Sequence, residues 1–182
     1  MINYSVERFE NRVNIRDFID LCVDVDYFLE LCKKCPNYGK NHMCPPFKFQ
    51  PLDLWKRFRQ IHLIGLKITV DPSVQYEDAT KASAEIIKIE KDKLVKEFLE
   101  KEKEIKGSVS CFAGRCTLCD VCARVEGKPC RIPSDARHSI ESLGANVSIV
   151  AEKYLGLKIL WIKDNKMPEY LTLVAGMLIP YI

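Results

Sequence analysis

The sequence IHLIGLKITV, residues 61–70, contains six aliphatic side chains in ten positions and a single lysine. A short apolar run of this kind is typical of a strand that is largely buried in a sheet. Asp71 and Pro72 follow directly, and this pair marks a turn at which regular structure ends. We therefore predict that residues 61–70 form the first strand of the protein.

The sequence on either side of this strand predicts helices. Upstream, residues 14–21 and 26–31 place apolar side chains at helical spacing, and Asp24 or Asp26 is suited to cap the second helix. Downstream, residues 85–106 have an apolar stripe with lysines and glutamates elsewhere, which is typical of a long amphipathic helix. Its charges alternate in sign at four-residue spacing, and this indicates a solvated face rather than a nucleic-acid surface.

The C-terminal half contains further short elements. Residues 108–112 are a possible strand, and residues 146–156 predict a helix that ends at a glycine. Residues 157–162 and 170–179 then predict two more strands separated by a turn. This order predicts a single α+β domain, residues 1–182, in which a mainly antiparallel sheet packs with helices and two cysteine loops bind metal.

Residues 132–144 predict a turn and a further helix. His138 is expected on the surface of this helix. Arg137 and Glu141 either line a site or form a salt bridge at the start of the helix, and helical spacing favours the salt bridge.

Composition limits the possible partners. The chain has 28 basic and 25 acidic residues, for a formal charge of +3, so it has no strong electrostatic preference for nucleic acid. No apolar run approaches the roughly 18–20 residues that a membrane-spanning helix needs. We therefore expect neither nucleic acid nor a membrane as a partner.

The N-terminal sequence and the cysteines indicate a cytoplasmic protein. The first twenty residues contain acids and lack the basic and then apolar order of a secretory signal. The chain has nine cysteines, an odd number that disfavours a complete set of disulfides. In a reducing compartment, clustered thiols are better interpreted as metal ligands or redox groups.

The strongest chemical motif lies in residues 111–131, which we call the second cysteine loop. Cys116, Cys119 and Cys122 follow the spacing C-x2-C-x2-C, which lets one tight loop present three thiolates to a [4Fe–4S] cluster. Zinc usually takes one C-x2-C pair from each of two segments, so a third cysteine in the repeat favours iron and sulfur. Cys130 is the natural fourth ligand, although it could serve a second centre instead.

Basic residues in the second cysteine loop can offset the negative charge of a thiolate-bound cluster and raise its potential. Arg115, Arg124, Lys128 and Arg131 are the candidates, and each could equally be ordinary surface charge. Arg131 is the favoured cofactor-binding residue because it directly follows Cys130.

Residues 32–51, which we call the first cysteine loop, contain Cys32, Cys35 and Cys44 together with four prolines. Because prolines prevent regular structure, a bound metal is expected to order the loop. Three thiols leave one ligand position to be filled. The candidates that remain open are His42, Cys22, Cys111, water or a substrate. Two separate centres are favoured, with one centre shared by both loops as the alternative.

Two motifs, CKKCPNYGKNHMCPP and AGRCTLCDVCARVEGKPCRIP, are found here in the same order as in a known family. The chain resembles an uncharacterised family of predicted cysteine-rich metal-binding proteins of anaerobic bacteria and archaea. The resemblance implies metal ligation without an established reaction, by these residues: Cys32, Cys35, Cys44, Cys116, Cys119, Cys122 and Cys130. It also places Cys22 and Cys111 outside the ligand pattern.

The function that these motifs favour is an iron–sulfur protein that passes single electrons to a redox partner protein. The first alternative is a zinc-stabilised module that binds a partner. The second is an enzyme that uses an open iron position as a Lewis acid. The common nucleotide-binding and hydrolase motifs do not occur in the sequence. The oligomeric state stays open.

Overall fold

The computed structural model describes residues 3–71 and 73–181 and has an α+β architecture. Its strands are β1 Tyr4–Asn14, β2 Phe58–Val70, β3 Val109–Cys111 and β4 Leu171–Pro180. Its α-helices are α1 Ile15–Cys22, α2 Val25–Lys33, α3 Pro51–Trp55, α4 Ala79–Glu104 and α5 Val147–Leu155. Two 3-10 helices cover Ala123–Glu126 and Glu141–Leu143.

The four strands form one antiparallel sheet in the order β1-β2-β4-β3. The predicted fold class, a mainly antiparallel sheet packed with helices, is therefore confirmed. β2 contains the apolar run of residues 61–70 and pairs on both sides, with β1 and β4. The predicted end of the strand is right at Val70, while Pro72 lies outside the described residues.

Helices cover both faces of the sheet. Side chains alternate across a strand, so Ile61 and Leu63 face one side with α1 and α5, whereas Ile64 and Leu66 face the other side with α4. The close packing depends in part on Gly65. A Cβ atom at that position would lie 2.9 Å from the Leu155 side chain of α5.

Strand β1 is the element that the sequence did not reveal. Its residues YSVERFENRVN are mostly polar, and most of them are exposed because β1 forms an edge of the sheet. Its pairing with β2 extends from Tyr4 to Asn14 and uses backbone groups that any sequence provides. An exposed edge strand therefore left no hydrophobic pattern to detect.

The predicted strand at residues 157–162 is wrong. This segment is irregular, and Trp161 is 71% exposed. Its backbone is hydrogen-bonded to side chains rather than to another strand. The Lys158 amide donates to the Tyr170 hydroxyl, and the Thr172 hydroxyl donates to the Lys158 carbonyl.

The predicted helix at residues 132–144 is also wrong. The Phe112 amide donates to the His138 carbonyl and Phe112 pairs with Ser139, which keeps this part of the segment extended. Only the 3-10 turn Glu141–Leu143 is helical. His138 is consequently half-buried in a loop and does not lie on a helix surface.

Gly144 fixes this segment against α2. Its φ is +90°, and a Cβ atom there would lie 2.8 Å from the Val25 Cα. The Asp24 amide donates to the Gly144 carbonyl at 2.9 Å, and the Asp24 side chain caps α2 through the Tyr27 amide. Glu141 is thereby placed beside the start of the first cysteine loop.

No helix within the described residues is both long enough and apolar enough to cross a bilayer.

Candidate metal centre

The first cysteine loop is a succession of tight turns that begins at the end of α2. The Cys35 amide donates to the Cys32 carbonyl at 2.9 Å, and the Tyr38 amide donates to the Cys35 carbonyl at 3.0 Å. The Cys44 amide closes the last turn on the Asn41 carbonyl at 3.0 Å. These turns follow from the prolines, which supply no amide for a longer helix or strand.

The two cysteine loops are bound to each other, and Arg124 is the main connection. Its Nη1 donates to the carbonyls of Asn41 and Cys44 at 2.8 and 2.7 Å, and its Nη2 donates to the Pro46 carbonyl at 2.8 Å. Because Arg124 lies two residues after Cys122, the guanidinium ties the second loop to the backbone of the first.

Two residues of the first loop, Asn41 and His42, donate hydrogen bonds to the second loop. The buried Asn41 side chain donates to the Cys116 carbonyl at 2.9 Å and accepts from the Met43 amide. The His42 amide donates to Cys122 Sγ at 3.4 Å, and the His42 Nε2 donates to the Lys128 carbonyl at 2.9 Å. His42 therefore contacts the second loop through both its backbone and its ring.

Four cysteines of the second loop line one small cavity: Cys116, Cys119, Cys122 and Cys130. The other side chains around it include Leu118, Ile132 and Ala136. Burial raises the pKa of the Cys116 thiol, and the nearby Cys130 and Cys122 raise it further, whereas a backbone hydrogen bond and Lys91 act in the opposite direction. The structure thus brings the four predicted ligands of this loop together.

The three cysteines of the first loop also form a set. Burial raises the pKa of Cys44 to about 11, and the charges of Cys35, Cys32 and Glu141 add to this effect while Arg124 opposes it. Burial raises the pKa of Cys32 for the same reason, with contributions from Cys35 and Glu141. As free thiols, Cys32 and Cys44 are protonated at neutral pH, so ligation requires a metal that displaces the proton.

Lys91 and Glu141 place a buried ammonium and a half-buried carboxylate near the two cysteine sets. Lys91 is 6% exposed, and its ammonium donates to the Arg115 carbonyl, next to Cys116. A Cβ atom on Gly114 would lie 3.9 Å from both Lys91 Nζ and Glu141 Oε1. Burial lowers the pKa of Lys91 and raises that of Glu141, and each charge partly offsets the shift of the other.

The sequence did not predict that Lys91 and Glu141 lie near the cysteines. Lys91 lies in the charge run of α4, for which a solvated face was expected, yet Glu90 and Lys91 are both buried. Glu141 was expected to pair with Arg137, but Arg137 pairs with Glu102 at 2.5 Å. The positions of Lys91 and Glu141 carry no local sequence signal, because their neighbours come from distant segments.

The remaining predicted residues lie as follows. Cys22 and Cys111 are buried in the apolar core, and burial raises the pKa of Cys22 to about 11. Arg131 is exposed; its Nη1 donates to the Val121 carbonyl at 2.7 Å, and its Nη2 lies 3.7 Å from Glu126. Arg131 therefore braces the backbone between Cys119 and Cys122, and its contact with a cofactor stays a prediction.

Among the residues that the structure describes, no three side chains of His, Cys, Asp or Glu are grouped closely enough to hold a single metal ion. All nine cysteines are free thiols. The four cysteines of the second loop line a common cavity.

The fold and the site define a cysteine-rich α+β domain with two interlocked cysteine loops. A family model described as "Predicted metal-binding protein (DUF2284)" matches residues 18–179, and the chain belongs to this family of predicted metal-binding proteins of unknown function. The match covers both cysteine loops. Neither the comparison with curated proteins nor that with solved structures gave a match.

Proposed function

We propose that Cys116, Cys119, Cys122 and Cys130 hold a [4Fe–4S] cluster and that the protein transfers single electrons to a redox partner protein. The observation on which this proposal rests is that these four thiols line one cavity. When bound, the cluster supplies a one-electron redox change.

The sequence spacing of the thiols supports a cluster rather than a single zinc ion. Cys116, Cys119 and Cys122 follow C-x2-C-x2-C within one segment, whereas a zinc ion usually takes one C-x2-C pair from each of two segments. In a cluster each thiolate binds a different iron, so one loop can supply several thiolates around a shared volume.

The groups around the cavity suit a negatively charged cluster. The His42 amide donates to Cys122 Sγ, and hydrogen bonds of this kind help to set the potential of a cluster. Lys91 places a buried positive charge near Cys116. Leu118, Ile132 and Ala136 restrict water at the cavity wall.

We propose a second metal centre at Cys32, Cys35 and Cys44. Its support is that the nearby Cys35 and Cys32 thiols raise the pKa of Cys44, and that stiff turns carry all three cysteines. The charge of Glu141 acts on Cys32 and Cys44, which adds a carboxylate to the candidates for the fourth ligand. A second [4Fe–4S] cluster and a zinc ion are the two occupants to be tested.

We also propose that the protein works in the reducing environment of the cytoplasm, with a protein as its partner rather than a membrane or nucleic acid. Nine free thiols agree with such a compartment. The near balance of 28 basic and 25 acidic residues agrees with a protein partner.

Reduction of the anaerobically purified protein tests the proposed activity. We expect broad visible absorption that decreases with dithionite, together with a paramagnetic signal from the reduced cluster. The Cys119→Ala variant should lose both properties, whereas the Cys111→Ala variant should retain them, because Cys111 lies in the core. A colourless protein that contains zinc and does not respond to dithionite would contradict the proposal.

A further inference from the structure

The positive charge of the protein is concentrated in the two cysteine loops. The loops, residues 32–51 and 111–131, together contain eight basic and two acidic residues, whereas the rest of the chain contains 20 basic and 23 acidic residues. Because the chain as a whole is nearly balanced, its composition does not account for this segregation. A local excess of one sign of charge attracts partners of the opposite sign.

The first cysteine loop supplies half of this positive charge and contains no acidic residue. Its four lysines are all exposed: Lys33, Lys34, Lys40 and Lys48. Lys33 pairs with Glu30 at 2.6 Å, and the other three have no ion-pair partner within the part of the chain that the structure describes. The lysines of α4 differ, because Lys88, Lys101 and Lys103 pair with carboxylates of the same helix. The loop lysines therefore leave positive charge available to a partner.

The contacts between the loops bring their basic residues close together. The His42 Nε2 donates to the Lys128 carbonyl at 2.9 Å, and His42 lies two residues after Lys40. The Asn41 side chain donates to the carbonyl of Cys116, the residue after Arg115. The two loops thus share one positively charged surface, which we call the basic surface. It is formed by Lys34, Lys40, Arg115, Lys128 and Arg131, all of which are exposed.

The two acidic residues of the loops do not cancel this charge. Glu126 lies 2.7 Å from Lys128 and 3.7 Å from Arg131, so two cations share one carboxylate. Asp120 is the other acid, against four basic residues in the second loop. The negative charge of a bound cluster would lie beneath the surface, because its four cysteines are half-buried whereas the lysines are exposed.

Two exposed valines lie within the basic surface, directly beside a proposed cluster ligand. Val121 and Val125 are each 57% exposed. Val121 precedes Cys122, and the Val125 amide donates to the Cys122 carbonyl at 3.1 Å. Arg131 donates to the Val121 carbonyl at 2.7 Å, which places a cation next to the valines. An apolar centre with a polar rim is the usual arrangement of a protein interface.

We propose that the basic surface and its two valines dock an acidic electron-carrier protein, one that presents carboxylates around its own redox group. This inference rests on the proposed function, because it places the redox partner beside Cys122. Carboxylates of the partner pair with Lys40 and Lys128, and an apolar patch of the partner contacts Val121 and Val125. One electron passes from the reduced cluster to the carrier, and no bond or proton changes place.

Electron transfer from the reduced protein to two acceptors of opposite charge tests the proposal. The acceptors are an acidic blue-copper protein, in which Cu(II) becomes Cu(I), and a basic c-type cytochrome, in which Fe(III) becomes Fe(II). Stopped-flow absorption, after removal of excess dithionite, gives the second-order rate constants. For the acidic acceptor the rate constant should fall roughly tenfold between about 20 and about 500 mM salt, because salt screens the attraction. For the basic acceptor it should rise.

Lys40→Glu and Lys153→Glu form a matched pair of variants with the same net charge. Lys40 belongs to the basic surface, whereas Lys153 is an exposed residue of α5 outside both cysteine loops. At low salt only Lys40→Glu should slow electron transfer to the acidic acceptor, by roughly three- to fivefold. The difference should disappear at about 500 mM salt, which separates docking from a change in reduction potential. Lys34→Glu should act as Lys40→Glu does, so the result does not depend on one variant.

The possible results separate this inference from the proposed function. Rate constants that do not depend on salt, or that are equal in Lys40→Glu and Lys153→Glu, would overturn the docking surface and leave the cluster intact. A protein without dithionite-sensitive absorption would contradict the proposed function and this inference with it. Binding of a double-stranded DNA fragment at physiological salt, weakened only by Lys40→Glu, would assign the basic surface to nucleic acid and overturn the docking of a protein.

Discussion

Arg124 shows how a single side chain can organise both cysteine loops. Its guanidinium binds three carbonyl groups of the first loop, those of Asn41, Cys44 and Pro46. Carbonyls bound to a charged donor are strongly oriented, and such hydrogen bonds each contribute about 1.5–3 kcal/mol. The position of the first loop therefore depends on a residue that lies about 80 positions away in sequence.

We predict that Arg124→Gln destabilises the protein and loosens the first loop. The free energy of unfolding should fall by about 2–4 kcal/mol, because the carbonyls lose their charged donor. Denaturant unfolding of the anaerobically purified protein measures this change. Arg115→Gln is the control, since Arg115 is exposed and its side chain has no hydrogen-bond partner among the described residues. Equal stability of the two variants would contradict the role assigned to Arg124.

We predict that Lys91 raises the reduction potential of the proposed cluster. A nearby positive charge stabilises the more negative, reduced state, so Lys91→Met should lower the potential by on the order of 60 mV. A potentiometric titration monitored by visible absorption measures the shift. Lys88→Met is the control, because Lys88 lies on the same helix, is exposed and pairs with Asp92. A potential that is the same in both variants would exclude this role.

At the scale of the elements, an ion pair between Arg8 and Glu97 holds β1 against α4. Both terminal nitrogens of Arg8 donate to the Glu97 carboxylate at 2.7 Å, and Lys101 binds the same carboxylate. These partners lower the pKa of Glu97 from 4.5 to about 2. The contribution of Glu97 to stability is thus complete above about pH 4.5 and is lost as the pH falls toward 2.

We predict that Glu97→Gln makes the protein less sensitive to acid between about pH 4.5 and pH 2. The variant is less stable at neutral pH but loses less stability on acidification, because the group that must be protonated is absent. Unfolding experiments at several pH values measure the slope. Glu100→Gln should retain the slope of the wild type, since Glu100 is exposed and pairs only with Lys103 in the described structure.

We predict that Gly144→Ala is more destabilising than Gly156→Ala. Both glycines have positive φ, which costs about 1–2 kcal/mol for another residue. Only Gly144 also meets backbone, 2.8 Å from Val25 Cα, while a Cβ at Gly156 has nothing within 4 Å. The additional cost should be about 1–3 kcal/mol. Thermal unfolding compares the two, and equal midpoints would show that α2 does not press against Gly144.

The elements differ in how far the sequence reveals them. Strands β2 and β4 have long apolar runs because both are paired on two sides and covered by helices. Strand β1 has no such run because it is an exposed edge. Residues 157–162 have the composition of a strand, but Tyr170 and Thr172 bind their backbone and no sheet edge receives them. The local sequence pattern could not show that the polar segment β1 joins the sheet or that the apolar residues 157–162 stay outside it.

At the scale of the whole molecule, the chain segments that form the site come together only through folding. The spacing of Cys116, Cys119 and Cys122, with Cys130 as the favoured fourth member, predicted one ligand set, and the four cysteines line one cavity. The contacts between the loops, and the burial of Lys91, depend on residues far apart in sequence. Sequence spacing therefore predicts which thiols belong together, while the surrounding electrostatics requires the three-dimensional structure.

The sheet and its helices form the support for both candidate centres. β3 leads into the second cysteine loop, and its Val109 and Cys111 pack in the core. α2 leads into the first cysteine loop and has no buried residue, and its start is fixed by the hydrogen bond from the Asp24 amide to the Gly144 carbonyl. Rigid support of this kind lowers the rearrangement that accompanies a change of charge at a metal centre. This property suits an electron carrier.

Analysis of iron and acid-labile sulfide in anaerobically purified protein tests the central claim most directly, with Cys116→Ala and Cys22→Ala as matched variants. We predict iron and sulfide in equal amounts in the wild type, retention in Cys22→Ala, and a clear loss in Cys116→Ala. Zinc without sulfide in the wild type, or the same iron and sulfide content in both variants, would contradict the cluster proposed for the second cysteine loop.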